Sequence, residues 1–358
     1  MPREFLNVLI KKEVLGQTAY NPEAIPCPVR MDANENPFAL PQELHEEFIS
    51  AVRGVELNRY PELGSFSLAA RFAESWGVED DMVVLGNGSD ELIQVLCASL
   101  ASSNILIPAP TFSMYRLISL NNGHRALEVP LDFDYDLDLD AMLKQIEDHQ
   151  PALILLSYPN NPTGNCFSEE KIEALLKKTH GLVVVDEAYG NFSGKTFLPF
   201  LKKYENLVVL KTLSKVGFAA LRIGFLIGRS SLVNELRKVR LPYNINSVSQ
   251  IGAGFYLKHE TVFLEQAEEI INSRAELYLA LQKIEGIRPY PSSANFIFFR
   301  CLFDTDHIYS ELTKRGILIR NFSKAGNLKN CMRVTVGKQE ENKAFLDALE
   351  LITAKLGA

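Results

Sequence analysis

No stretch of the 358 residues is apolar for long enough to span a bilayer, and the first residues lack the apolar region of a secretory signal. A membrane-embedded or exported protein is therefore not expected. Basic residues are the minority: 37 Lys and Arg stand against 44 Asp and Glu, a net charge of −7. That balance argues against a nucleic-acid or membrane-surface partner. The five cysteines (Cys27, Cys97, Cys166, Cys301 and Cys331) are scattered, odd in number and never spaced as CxxC. A disulfide framework and a structural zinc are thereby excluded, and a reducing cytoplasm is expected. None has a histidine beside it in sequence, so packing roles are expected for all five. The six histidines fall outside every motif, and no pair has metal-ligand spacing on a helix face. Internal repeats and low-complexity segments are also absent.

What is present is ordinary for a soluble enzyme: 47% apolar and 23% charged residues. The length exceeds that of a typical single domain, so two lobes are expected. Short apolar runs at 82–85, 105–107, 152–156, 182–185, 207–210 and 223–227 predict strands. Helical patterns at 89–100, 138–148 and 169–178 lie between them. Alternation of doubly apolar strands with helices predicts a mostly parallel sheet covered on both faces. In such sheets ligands gather beyond the carboxyl ends of the strands. Here five strand ends lead into polar or aromatic strings: GNGSDE, PAPTFSMY, SYPNNPTG, DEAY and TLSK. After residue 231 the texture changes to a long helical stretch (249–284), then ANFIFFR, a helix at 306–315, GILIR, MRVTVG and a final amphipathic helix. A smaller α/β domain is expected there. The predicted division is an arm over 1–45 packing on the small domain, a large domain over 46–245 and a small domain over 246–358.

The string TLSKVGFAALRIGF carries most of the chemistry. It sets two hydroxyls (Thr212 and Ser214), an amine (Lys215) and a guanidinium (Arg222) in one turn-and-loop. Hydroxyls and a planar guanidinium suit a phosphate. A lysine beside a bound phosphate ester is a candidate Schiff-base nucleophile. Phosphate and imine together point to pyridoxal phosphate, although a polar loop with a solvated lysine has the same composition. The other needs of that cofactor can be assigned in turn. Glycines before a helix let the backbone at Ser89 and Asp90 approach a phosphate, although either residue would also serve as a plain helix cap. Asp186, directly after four apolar residues, would keep a pyridine nitrogen protonated; a cap or a local salt bridge is the alternative. Asn161 and Tyr189 suit a phenolate oxygen, though the asparagine loop also reads as a simple turn. Phe112 is placed to cover a ring face; Tyr115 is the alternative for that task, although such a residue is more often core.

PNNPTG, then VVVDEAY, then TLSK with a following arginine, in this order, resemble the fold-type I aminotransferases of the aspartate aminotransferase superfamily. DANENP, NRYPE, GNGSDE, GILIR and MRVTVG resemble, within it, the histidinol-phosphate aminotransferase family. The likeness runs from about residue 20 to 337. It implies a pyridoxal-phosphate transferase whose large domain is built on a mostly parallel, seven-stranded sheet covered by helices, in which Lys215 holds the cofactor and moves the proton, with Asp186 and Tyr189 assisting. It implies phosphate contacts from Ser214, Arg222 and Thr212, and from Tyr60 reaching into a neighbouring subunit of an obligate homodimer. Substrate phosphate and carboxylate would meet Tyr20, Arg320 and Arg333, with Asn34 bordering the substrate. Lys215 and Arg222 stand one residue closer than in many members, so the position of Arg222 is a point to test. The reaction implied converts L-histidinol phosphate and 2-oxoglutarate to imidazole acetol phosphate and L-glutamate. An aromatic amino acid aminotransferase, a threonine-phosphate decarboxylase and a non-catalytic binding module are the alternatives.

Overall fold

The computed structural model describes residues 3–17 and 25–357, with side chains from Leu6 onward. Twelve strands are found among them: β1 (Val29–Met31), β2 (Val83–Asn87), β3 (Asn104–Ala109), β4 (Arg125–Pro130), β5 (Leu153–Ser157), β6 (Leu182–Asp186), β7 (Leu207–Thr212), β8 (Ile223–Ile227), β9 (Ile287–Pro289), β10 (Phe296–Cys301), β11 (Ile317–Asn321) and β12 (Cys331–Thr335). They form a seven-stranded sheet in the order β2-β8-β7-β6-β5-β3-β4 and a five-stranded sheet in the order β1-β11-β12-β10-β9. In the large sheet β3, β4, β5, β6 and β7 run parallel, and β8 is antiparallel to both of its neighbours.

The apolar runs explain the burial. Side chains alternate faces along a strand, and in β6 both faces are covered. Val183 and Val185 join one core with Phe72, Ile154, Leu156 and Val209. Val184 joins the opposite core with Leu92, Leu96, Leu155 and Leu210. Every residue of β5 and β8 is buried. The strand of the large sheet missed by sequence is β4, where only Leu127 and Val129 turn inward and the sequence RALEVP has too thin an apolar signal. It is an edge strand, so one face and one side need no covering.

The small sheet carries its own core of Phe296, Phe299, Ile319, Met332 and Val334, closed by Phe345, Leu349 and Ile352 of the helix Gln339–Gly357. The long predicted helix divides at His259 into Ser247–Lys258 and Glu260–Leu281. Core membership changes within the second of these. Ala253, Phe255, Tyr256 and Phe263 pack in the large core, whereas Ala267 and Ile270 belong to the small one. Packing thus passes from one core to the other inside Glu260–Leu281. The expected arm divides as well: β1 pairs with β11 in the small sheet, but Lys11 Nζ and Gln17 Nε2 reach Asn121 on a helix of the large lobe.

Candidate active site

The strand register levels the chemistry. Ser157, Asp186 and Leu210 are register partners at the carboxyl ends of β5, β6 and β7, and the loops that leave this edge carry most of the predicted residues. Asp186 is 3% exposed. Its Oδ1 accepts the Ala188 N–H at 3.0 Å and its Oδ2 accepts the Tyr115 hydroxyl at 2.8 Å. Burial pushes its pKa up to about 7, with the negative charges of Asp90 and Glu187 adding to the rise; the two donors oppose it. A cationic partner is what such a carboxyl requires. Glu187 is engaged elsewhere, its buried carboxylate pairing with Lys211 at 2.6 Å and accepting from Thr196 Oγ1 and the Phe197 N–H.

Beyond Asp186 the chain turns to place Tyr189, whose hydroxyl accepts from Asn34 Nδ2 at 2.9 Å and from Asn161 Nδ2 at 3.3 Å. Lys215 Nζ lies 5.7 Å from the centre of the Tyr189 ring and donates to the Ala33 carbonyl at 3.2 Å. Asn34, 1% exposed with φ 54°, is held by Thr335 Oγ1 and by Asn295 Nδ2 on its carbonyl. Phe112 lies partly buried, edge-to-face with Tyr115 at 5.4 Å.

A second cluster forms an anion cradle. Arg222 Nη1 donates to Ser214 Oγ at 3.0 Å, Thr212 Oγ1 donates to the same oxygen at 3.0 Å, and Arg222 Nη2 lies 3.4 Å from Asp90 Oδ2. The shorter spacing from Lys215 thus still brings the guanidinium to Ser214. It does so through φ 53° at Arg222, a left-handed conformation that costs a non-glycine residue about 1–2 kcal/mol. The helix Ser89–Ser99 starts beside it with Gly88 as its N-cap and no side-chain cap, so Ser89 and Asp90 do not play the plain capping role. Its first N–H groups remain available to an anion. Gly88 has φ 82°, and a Cβ there would stand 2.6 Å from Arg222 Nη2, filling the cradle.

Arg333 faces this centre from the small sheet. It donates to Asn161 Oδ1 at 2.5 Å and to the Asp32 carbonyl at 2.6 Å, and its guanidinium lies 5.1 Å from the Phe296 ring centre. Arg320 is its cross-strand partner in β11. It makes no hydrogen bond or ion pair among the described residues, and it lines a cleft of about 440 Å³ with Asp32, Tyr309, Phe322 and Lys324. Tyr60 stands apart, 80% exposed and stacked on Tyr243 at 4.5 Å. Tyr20 lies outside the described residues.

Three contributors escaped the reading from sequence. Tyr115 reads as core because its ring is core; only the fold shows its hydroxyl on Asp186. Asn295 sits in an apolar string, SSANFIFF, with no motif around it. Thr335 had a usable signal, lying two residues after Arg333 and hence on the same face of β12.

The site fits pyridoxal phosphate on features of this chain: a buried carboxyl short of a cation, a cradle of hydroxyls and guanidinium that a Cβ would fill, and an amine beside a hydrogen-bonded tyrosine. Comparison with known proteins agrees with these features. The family described as aminotransferase class I and II matches residues 28–349. Histidinol-phosphate aminotransferase 2 of Nitrosococcus oceani is 44% identical over 346 residues, covering 95% of this chain and 96% of its own. The histidinol-phosphate aminotransferase of Aquifex aeolicus is 42% identical, with 96% and 97% covered. The crystal structure of histidinol-phosphate aminotransferase from Sinorhizobium meliloti in complex with pyridoxal-5'-phosphate has the same fold, at a TM-score of 0.87 and 22% identity, over 97% of this chain and 98% of that one.

Proposed function

Because the chain belongs to the class I and II aminotransferases, a family that its match over residues 28–349 establishes, we propose that it works as a histidinol-phosphate aminotransferase. Pyridoxal phosphate is its cofactor, and the reaction passes the amino group of L-histidinol phosphate to 2-oxoglutarate. The geometry that carries the substrate assignment is the cross-strand pair Arg320 and Arg333, which offers two guanidiniums to one dianion. The same pair would receive the carboxylates of glutamate in the reverse half-reaction. The full-length relatives at 42% and 44% identity support the same substrate.

In this reading Ser214, Arg222, Thr212 and the helix start at Ser89 and Asp90 would hold the cofactor phosphate. Phe112 would cover the ring, and Asn161 and Tyr189 would hold its oxygen. When bound, pyridoxal phosphate supplies the electron sink that makes the substrate α-carbon acidic. Asp186 holds the ring-nitrogen proton: a cation there offsets the burial cost that raises its pKa to about 7. Lys215 Nζ would hold the cofactor; once released it takes the α-carbon proton as a free amine and, in the reverse direction, returns it as the ammonium. Asn34 and Asn161 together fix the Tyr189 hydroxyl. Arg333 ties Asn161 to the substrate end of the site, so substrate and ring contacts are set by one hydrogen-bonded chain.

A homodimer with shared sites belongs to the same reading. Leu57, Tyr60, Leu63, Phe66 and Leu241 are at least half exposed, an apolar surface suited to a second copy. Tyr60 would then reach the partner's cradle. Among the described residues no helix is long and apolar enough to cross a membrane, and a cytoplasmic setting fits the free cysteines. The discriminating experiment is turnover on three substrates. L-Histidinol phosphate with 2-oxoglutarate should be preferred over phenylalanine by 100-fold or more in kcat/KM, about 3 kcal/mol of phosphate recognition. Equal turnover of phenylalanine, or carbon dioxide released from threonine phosphate without an oxo acid, would overturn the assignment.

A further inference from the structure

Resting on the cofactor reading above, we infer that Tyr115 is a positioning residue that aligns two cofactor contacts at once, its hydroxyl orienting the Asp186 carboxylate and its ring setting Phe112. Tyr115 is fully buried in the core that covers one face of the large sheet. It sits on the first turn of the helix Ser113–Asn121, whose N-cap is Phe112. The O–H donates to Asp186 Oδ2 at 2.8 Å while the Ala188 N–H holds Oδ1 at 3.0 Å. One donor on each oxygen fixes the carboxylate plane and leaves lone pairs for a further donor. The Tyr115 and Phe112 rings meet at 89° with centres 5.4 Å apart, an edge-to-face pair that restrains the Phe112 ring.

The hydroxyl exceeds what packing alone requires, because a phenylalanine would fill the same apolar pocket. Its surroundings keep the phenol proton in place as the donor to Asp186. Burial and the neighbouring Asp186 charge push the Tyr115 phenol far above its ordinary range, so it keeps its proton. The charged groups facing Asp186 are Asp90 on the helix Ser89–Ser99 and Glu187 beside it in the chain. Both are negative and favour the protonated carboxyl. Tyr115 and the Ala188 N–H are the two groups that counter them. Removing the hydroxyl therefore leaves Asp186 harder to ionise and free to turn, and the ring-nitrogen contact weakens. No substrate contact is touched.

The test is a double-mutant cycle read by cofactor dissociation, with Tyr115→Phe and Asp186→Asn singly and together. Tyr115→Phe should weaken pyridoxal phosphate binding about tenfold, the loss of one hydrogen bond to a charged group. In the Asp186→Asn background the same change should have almost no effect, because its target is gone. The acid limb of kcat/KM should move to higher pH in Tyr115→Phe, with KM for L-histidinol phosphate little changed. An equal effect in both backgrounds, or wild-type affinity in Tyr115→Phe, overturns the inference while leaving the cofactor reading intact. Failure of the unaltered protein to bind the cofactor overturns both. If Tyr115→Phe does not fold, 3-fluorotyrosine at position 115 keeps the shape and strengthens the donor. The acid limb should then move to lower pH, and an unmoved limb counts against the role.

Discussion

Asp186 is buried with no ion pair among the described residues. Its pKa of about 7 in the fold compares with about 3.9 in an unfolded chain. The unfolded state thus gives up its proton first as pH rises. Stability from this residue is complete below about pH 4 and is lost progressively up to about pH 7, by roughly 4 kcal/mol. In cofactor-free protein, urea midpoints for the wild type should fall relative to Asp186→Asn across that window. A constant difference between the two would show that the carboxyl ionises normally. Lys215 is tested by chemistry rather than stability. Reduction with borohydride should fix the cofactor on Lys215 of the loaded wild type, and Lys215→Ala should lose both the adduct and about 10³- to 10⁴-fold in kcat. An adduct on another lysine would reassign the role. The gathering of Asp186, Asn161 and Lys215 at one sheet edge was legible because each lies in a string that ends or follows an apolar strand; Arg333, in the middle of β12, stood out only through the family likeness. Tyr115 was not, since a hydroxyl on a core ring gives no pattern that a sequence reader could separate from packing.

Among the elements, the close approach of β8 to the start of the helix Ser89–Ser99 is the most constrained contact near the cradle. A Cβ on Gly224 would lie 2.3 Å from Ser89 N and 2.4 Å from the Gly88 carbonyl carbon, both backbone atoms that cannot swing away. Gly224→Ala should cost about 2–3 kcal/mol and loosen the cofactor phosphate, because the helix start must shift. Gly77→Ala is the control: φ is +66° but nothing lies within 4 Å, so only backbone strain of about 1 kcal/mol is expected. Thermal denaturation with and without cofactor separates the two, and equal losses would contradict the steric argument. Doubly buried strands were legible as apolar runs, and Ile223–Ile227 is a strand over the very residues expected. The edge strand β4 was not, because half of it faces solvent. Nor was the break at His259, where neither glycine nor proline marks the end of a helix and the apolar spacing continues past it.

For the whole molecule, the exposed apolar surface around Tyr60 and Leu241 predicts self-association. Leu241 is 71% exposed, and Tyr60 and Tyr243 stack beside it in the open. Leu241→Asp should shift sedimentation from dimer to monomer and lower cofactor affinity, since each cradle would lose the partner's tyrosine. A monomeric wild type would contradict the shared site. The two-lobed architecture was readable from length and from the change of texture along the chain. Which core each buried side chain along Ser247–Lys258 and Glu260–Leu281 joins is a property of the packed molecule that no local string encodes.

Proton and amino transfer at a single lysine-bearing site, with the phosphate of the substrate held by Arg320 and Arg333, is most directly tested in a single turnover. Loaded protein mixed with L-histidinol phosphate and no oxo acid should release one imidazole acetol phosphate per site and stop, with the cofactor left in its amine form. Adding 2-oxoglutarate should then restore the starting absorbance and yield glutamate. Continued turnover without an oxo acid, or an absorbance that histidinol phosphate leaves unchanged, would contradict it.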